Sequence, residues 1–127
     1  MPPRDRRTSL TPLQLAVMQV LWAREEASVA DVQKGMRGKR LALTTVATLL
    51  TRLEQRELLA HRVDGRQYIY RARVSPVDVR QSVTRDLLGG LFHGDVTAFV
   101  TQLLDARDLT REEIADLKRL LRTKERA

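Results

Sequence analysis

Cysteine is absent from this 127-residue chain. That excludes a disulfide framework, a zinc–thiolate site and a catalytic thiol, and it fits the expectation of a cytoplasmic protein. Histidine occurs twice, at His61 and His93, without a paired metal motif, so no metal site is expected. No apolar run approaches the ~20 residues needed to cross a bilayer, so no membrane insertion is expected. The opening Met-Pro-Pro-Arg-Asp-Arg-Arg has no apolar core behind it and does not read as a signal peptide. A phosphate loop, a His-Glu metal helix and a nucleophile elbow are all missing, so the chain reads as no enzyme and calls for no cofactor.

What is present is positive charge, unevenly placed. The net charge is +7; residues 1–73 carry 14 Lys and Arg against 7 Asp and Glu, while residues 74–127 carry 9 of each. An evenly basic protein would spread this excess. A basic half joined to a neutral half suggests a polyanion-binding domain followed by something else.

The stretch from Ala42 to Leu58 is the most informative. Val46, Leu49, Leu50, Leu53 and Leu58 recur at helical spacing and form one apolar stripe. The opposite face carries Thr44, Thr45, Thr48, Thr51 and Arg52. Threonine forms helices less well than Glu or Lys, so a face meant only for solvation would not favour it. Short hydroxylated side chains let a helix approach a surface closely and can meet phosphates or base edges. Taken alone, the stretch reads equally as a weak solvent-facing helix or as a DNA-reading one.

The flanking sequence favours reading. Residues 1–9 form a basic arm, expected to be mobile, with Arg4, Arg6 and Arg7. Thr11, Pro12 and Gln14 have the order of an N-cap, a first helical residue and a capping box. Leu13, Val17, Val20 and Leu21 supply a buried face, with Ala16 and Trp22 beside it. Ser28 and Asp31 repeat the cap for a second helix over about 29–36, with Val29, Val32 and Met36 apolar. Arg37-Gly38-Lys39-Arg40 is a cationic turn into the threonine-rich helix, completing a helix-turn-helix order. Beyond it, Leu59 to Val63 and Arg66 to Arg71 flank Asp64-Gly65, a strong hairpin signal. This hairpin reads as a wing carrying Arg62, Arg66 and Arg71. Trp22, Tyr68 and Tyr70 read as core, and His61 as a surface or half-buried side chain.

Ser75-Pro76 starts a helix with Val79, Val83 and Leu87 on one face, ending near Leu88 before Gly89-Gly90. Asp95 caps a fifth helix with Val96, Phe99, Val100 and Leu103 apolar. Thr110 and Glu113 form a capping box for a sixth, with Ile114, Leu117, Leu120 and Leu121 apolar. About 50 residues is near the lower limit for a self-sufficient core. These helices are therefore expected to pair with a second copy through Val83, Leu87, Val96, Phe99, Val100, Leu103, Ile114, Leu117, Leu120 and Leu121, or else to pack back on the same chain.

The expected fold class is mainly α with a small β wing: a winged helix-turn-helix N-terminal domain plus a three-helix C-terminal dimerisation domain. The expected divisions are the arm at 1–9, a DNA-binding domain at 10–73, a dimerisation domain at 74–122 and a frayed tail at 123–127.

The ordered set of Leu13-Gln-Leu-Ala-Val-Met-Gln-Val-Leu-Trp22, Thr44-Thr-Val-Ala-Thr-Leu-Leu-Thr-Arg-Leu53, Tyr68-Ile-Tyr70, Phe99-Val100 and Asp108-Leu-Thr-Arg-Glu-Glu-Ile114 resembles the BlaI/MecI family of penicillinase-type repressors. The resemblance covers roughly residues 10–121. It implies a cytoplasmic homodimer that represses transcription from a palindromic double-stranded DNA operator. In sensor-regulated members of the family a regulatory protease pathway cuts before a Phe, which makes Ala98–Phe99 the candidate cleavage bond here. Those members have Asn where this chain has Ala98. The cysteine cluster of the copper-responsive branch has no counterpart. Several members begin the recognition helix with Ser-Pro; this chain has Ala42-Leu43, with Thr44 or Thr45 as the substitute cap.

Within that frame Thr44, Thr45 and Thr48 are candidates for base-edge or thymine-methyl contacts, with Ala47 beside them and Arg52 one turn on toward a phosphate. Lys39, Arg40, Arg62 and Arg66 are candidate phosphate contacts, which give affinity but little sequence information. The alternative function is a winged-helix protein–protein adaptor without sequence-specific DNA binding.

Overall fold

The computed structural model describes residues 9–36 and 38–127. The basic arm expected over residues 1–9, apart from Ser9, and Arg37 of the basic turn lie outside them. The chain forms two compact units that part between Asp86 and Leu87. The expected boundary lay at Val74; the helix that follows it belongs to the first unit.

The first unit runs α1 (Pro12–Arg24), β1 (Ala27–Ser28), α2 (Val29–Gly35), α3 (Leu43–Gln55), β2 (Leu59–Asp64), β3 (Gln67–Ala72) and α4 (Pro76–Asp86). Both expected capping boxes close. The Gln14 amide donates to Thr11 Oγ1 and the Thr11 amide to Gln14 Oε1, each at 3.1 Å. Ser28 and Asp31 do the same at 3.2 Å. Those bonds, with Arg24 nearby, hold the Asp31 carboxyl below its ordinary range.

The core lies where α1, α2 and α3 meet the sheet. Val17, Met18, Leu21, Val32, Val46, Leu50, Leu53, Leu58 and Leu59 are essentially fully buried. These are the stripes read from helical periodicity together with Leu59 of the first wing strand, with Met18 added. Trp22 is part-buried and donates from Nε1 to the Val74 carbonyl at 2.8 Å, tying α1 to the end of the wing.

The sheet has three strands, ordered β1-β3-β2, where a two-stranded wing was expected. The segment Glu25-Glu26-Ala27 reads as a connection in sequence. Its last residue pairs instead with Tyr70, and Ser28 pairs with Ile69. A strand this short has no periodicity to detect; the open edge of β3 recruits it. In the hairpin Asp64 faces Gln67, so Gly65 and Arg66 form the turn. Gly65 has φ +62°, a conformation glycine adopts without strain.

A Schellman motif joins α3 to the wing. The Leu58 amide donates to the Leu53 carbonyl at 3.0 Å and the Glu57 amide to the Glu54 carbonyl at 2.9 Å. Leu58 and Leu53, both buried, supply the accompanying apolar contact. The left-handed position, usually glycine, is Glu57 at φ +64°.

The second unit contains one π-helical turn (Leu87–Leu91), α5 (Val96–Asp105) and α6 (Arg111–Arg126). Asp95 caps α5 by accepting from the Ala98 amide at 3.0 Å. Thr110 and Glu113 form the expected box on α6, and Arg107 pairs with Glu113 at 2.5 Å. Arg107, followed by the Thr110 amide, holds the Glu113 carboxyl down at about 2. The tail expected to fray from residue 123 is helical as far as Arg126. Its last turn carries Lys124 and Arg126, which complement the helix dipole, and no residue there breaks a helix. Among the described residues no single helix is long and apolar enough to cross a membrane.

Glycine at position 57 relieves a left-handed side chain worth about 1–2 kcal/mol and returns about 0.5–1 kcal/mol of backbone entropy. Glu57→Gly should therefore raise stability modestly, seen in urea unfolding as a higher midpoint at unchanged slope.

Candidate nucleic-acid interface

α3 begins without a side-chain cap. Its N-cap is Ala42, and neither Thr44 nor Thr45 takes over the role expected of them. Capping needs the oxygen at the residue before the first turn, and both threonines already lie inside it. The first amides of α3 are thus left open to an outside acceptor, with the positive end of the helix dipole behind them. Two features shape the segment leading into this end. Gly38 turns the chain at φ +77°, and Gln33 Nε2 donates to the Leu41 carbonyl at 2.7 Å.

Along α3, Val46, Leu50 and Leu53 are fully buried. The 3.6-residue period then turns Thr44, Thr45, Thr48, Thr51 and Arg52 outward, and all five are exposed. Ala47 is half-buried at the margin of this face. The Thr48 hydroxyl donates to the Thr44 carbonyl at 2.9 Å, and the Thr51 hydroxyl to the Ala47 carbonyl at 2.9 Å. With its proton committed inward, Thr48 offers a methyl group and an acceptor lone pair to whatever meets the face.

The expected cations divide into two sorts. Lys39 and Arg40 are exposed just before α3, and Arg66 is exposed in the hairpin turn. Arg62 is engaged: its Nη2 and Nε donate to the two Glu26 oxygens at 3.0 and 3.3 Å. That pair lowers the Glu26 carboxyl and raises the Arg62 guanidinium. Arg56, on the rear of α3, binds Gln14 Oε1 at 3.2 Å and the Ser9 carbonyl.

Two contacts had no counterpart in the sequence reading. His61 Nδ1 lies 2.5 and 2.7 Å from the two oxygens of Glu54, the one acidic residue of α3. The His61 ring also stacks on Tyr68, with centroids 4.0 Å apart and planes 13° apart. Tyr70 is core as expected, whereas Tyr68 is half exposed. Glu54 and His61 are seven residues apart across a helix-to-strand corner, a spacing with no regular period to flag it.

A family model for the penicillinase repressor matches residues 10–123. The chain belongs to the penicillinase repressor family. It is similar to a penicillinase repressor of Staphylococcus aureus, 23% identical over 121 residues that cover 92% of this chain and 94% of the relative. The methicillin resistance regulatory protein MecI of Mammaliicoccus sciuri is 22% identical over 122 residues, covering 94% of this chain and 99% of the relative. Among solved structures, the DNA-binding domain of the repressor BlaI matches with a TM-score of 0.51 and 24% identity, covering 61% of this chain and 93% of that one.

In this member of the penicillinase repressor family, the residues read as a dimerisation face are mostly open to solvent. Val83, Leu87, Val96, Val100, Leu103, Ile114 and Leu117 are all exposed, and Leu120 and Leu121 are 61% and 67% exposed. Phe99 is half-buried, its ring 4.9 Å from that of Phe92. The Ala98–Phe99 bond lies in the first turn of α5, with the Phe99 amide donating to the Asp95 carbonyl at 3.1 Å.

If the exposed cations meet a polyanion, Arg66→Ala should weaken binding to all duplex sequences alike and reduce the log–log salt slope by about one. Arg62→Ala should change that slope less, because Glu26 already neutralises its charge. Fluorescence anisotropy across a salt series measures both.

Proposed function

We propose that this chain is a sequence-specific DNA-binding transcriptional repressor that acts as a homodimer on a palindromic operator. The observation that carries the reading is the outward threonine face of α3, with its uncapped N-terminus and the exposed Lys39, Arg40 and Arg66 around it. α3 enters the major groove with its N-terminal half. The open amides and nearby cations grip phosphates, and Thr44, Thr45, Thr48 and Ala47 face the base edges. A winged-helix adaptor would leave the basic excess without a purpose. Selection of bound duplexes from a random pool tests the reading; recovery of no preferred sequence at any salt concentration defeats it.

The second unit supports a dimer. Among its described residues none is buried, although α5 and α6 each present a row of large apolar side chains. A second copy that covers both rows would remove them from water. The dimer then sets the half-site spacing at about one helical turn, ~34–36 Å. A regulatory protease acting at Ala98–Phe99 would have to open the first turn of α5, because proteases take extended chain and this bond is helical.

Two outcomes follow. Thr48→Ala should lose about 1–3 kcal/mol of discrimination at a single base pair while leaving the salt slope intact, measured by competition between the selected duplex and its single-position variants. Sedimentation at micromolar concentration should give twice the 14.5 kDa chain mass, and Leu117→Asp should shift that species toward monomer.

A further inference from the structure

The wing and the recognition helix are held together by a polar contact as well as by the core. Glu54 sits near the C-terminal end of α3, and His61 sits in β2. An ionised carboxylate can only accept, so this contact, at 2.5–2.7 Å, requires the ring tautomer in which His61 Nδ1–H is the hydrogen-bond donor to Glu54. His61 lies opposite Tyr70 in the ladder, and Val63 lies opposite Tyr68, so His61, Tyr68 and Tyr70 share one face of the hairpin. That is the face turned to α3. The His61 ring stacks on Tyr68 and lies tilted against buried Tyr70, 5.6 Å between centroids. The histidine and glutamate side chains are 27% and 29% exposed, so the contact between helix and wing is partly open to solvent.

Charge gives this contact a second role. Glu54 is the one carboxylate on α3, two positions beyond exposed Arg52. A bare carboxylate beside a bound phosphate backbone would oppose binding. His61 engages both of its oxygens.

We propose that Glu54, His61 and Tyr68 form a clasp that sets the wing against α3, so that the Gly65-Arg66 turn meets the DNA backbone beside the half-site read by α3. These are positioning residues: they act through the wing and touch no base. The inference rests on the DNA-binding reading above. It separates the two ends of the interface, with the threonines choosing the sequence and the clasp fixing where the flanking contact falls.

The test is hydroxyl-radical footprinting and titration of the full chain on its selected duplex, with thermal unfolding of each variant alongside. His61→Ala should bind about tenfold more weakly. Its lost protection should be confined to backbone positions flanking each half-site, with base discrimination unchanged. Glu54→Gln keeps an acceptor for His61 and removes the charge, so it should bind at least as tightly as the original. The double variant His61→Ala, Glu54→Ala should bind no more weakly than His61→Ala alone. Loss of protection spread over the whole half-site, unchanged affinity for a folded His61→Ala, or equal weakening by Glu54→Gln would each overturn the clasp. Failure of the original protein to select any duplex would instead overturn the DNA-binding reading, and the clasp with it.

Discussion

The one-sided burial of α3 is the constraint on which the rest depends. Val46, Leu50 and Leu53 have no solvent exposure. They can reach that state only if the helix lies with one particular line of its surface against α1, α2 and the sheet. Fixing that line also fixes the opposite one, so the threonine face is turned outward by the same packing that stabilises the unit. Each fully buried leucine contributes about 1.5–3 kcal/mol of transfer free energy. Rotating the helix to hide the threonines would forfeit several such contributions and bury hydroxyl groups without new partners.

The two ends of α3 are treated differently. At the C-terminal end the backbone is closed by the Schellman bonds to Leu53 and Glu54, and the side chains by the Glu54–His61 contact. At the N-terminal end the backbone is left open at Ala42. A helix anchored at one end and uncapped at the other presents its donors and its positive dipole to an incoming anion. The neighbouring Lys39 and Arg40 reinforce the same field. The second unit has a corresponding asymmetry: α5 and α6 both have side-chain N-caps, with a full capping box on α6, yet no buried residue. Their helix starts are capped, while their apolar faces stay open to solvent.

Much of this was legible in residue order. The caps at Thr11, Ser28, Asp95 and Thr110 were readable because a cap is a contact between residues three apart. The α3 stripe and the existence of the hairpin were readable because helical and strand periods and the Asp64-Gly65 dipeptide are local signals; the turn itself falls one residue later, at Gly65-Arg66, because Asp64 pairs with Gln67. The pairing of Ala27 and Ser28 with β3 was not, since a two-residue strand exists only where a neighbouring edge offers it hydrogen bonds. The Schellman turn escaped notice because Glu57 occupies the place of the usual glycine. The helical extent of the last residues follows from Arg, Lys and Glu being good helix formers, which carry α6 to Arg126.

The sequence by itself determined which faces are apolar, where most helices begin, that a hairpin follows α3 and which half of the chain carries the excess charge. All of these depend on residues close together along the chain. Tertiary structure alone decided which polar groups are already spent. Arg62 reads as a free cation until Glu26, 36 positions away, is seen to engage it. His61 reads as an isolated histidine until the helix-to-strand corner brings Glu54 against it. Thr48 reads as an open hydroxyl until its O–H is found donating a hydrogen bond to the Thr44 carbonyl. Pairing of this kind depends on distances through space and on side-chain direction, and linear spacing encodes neither.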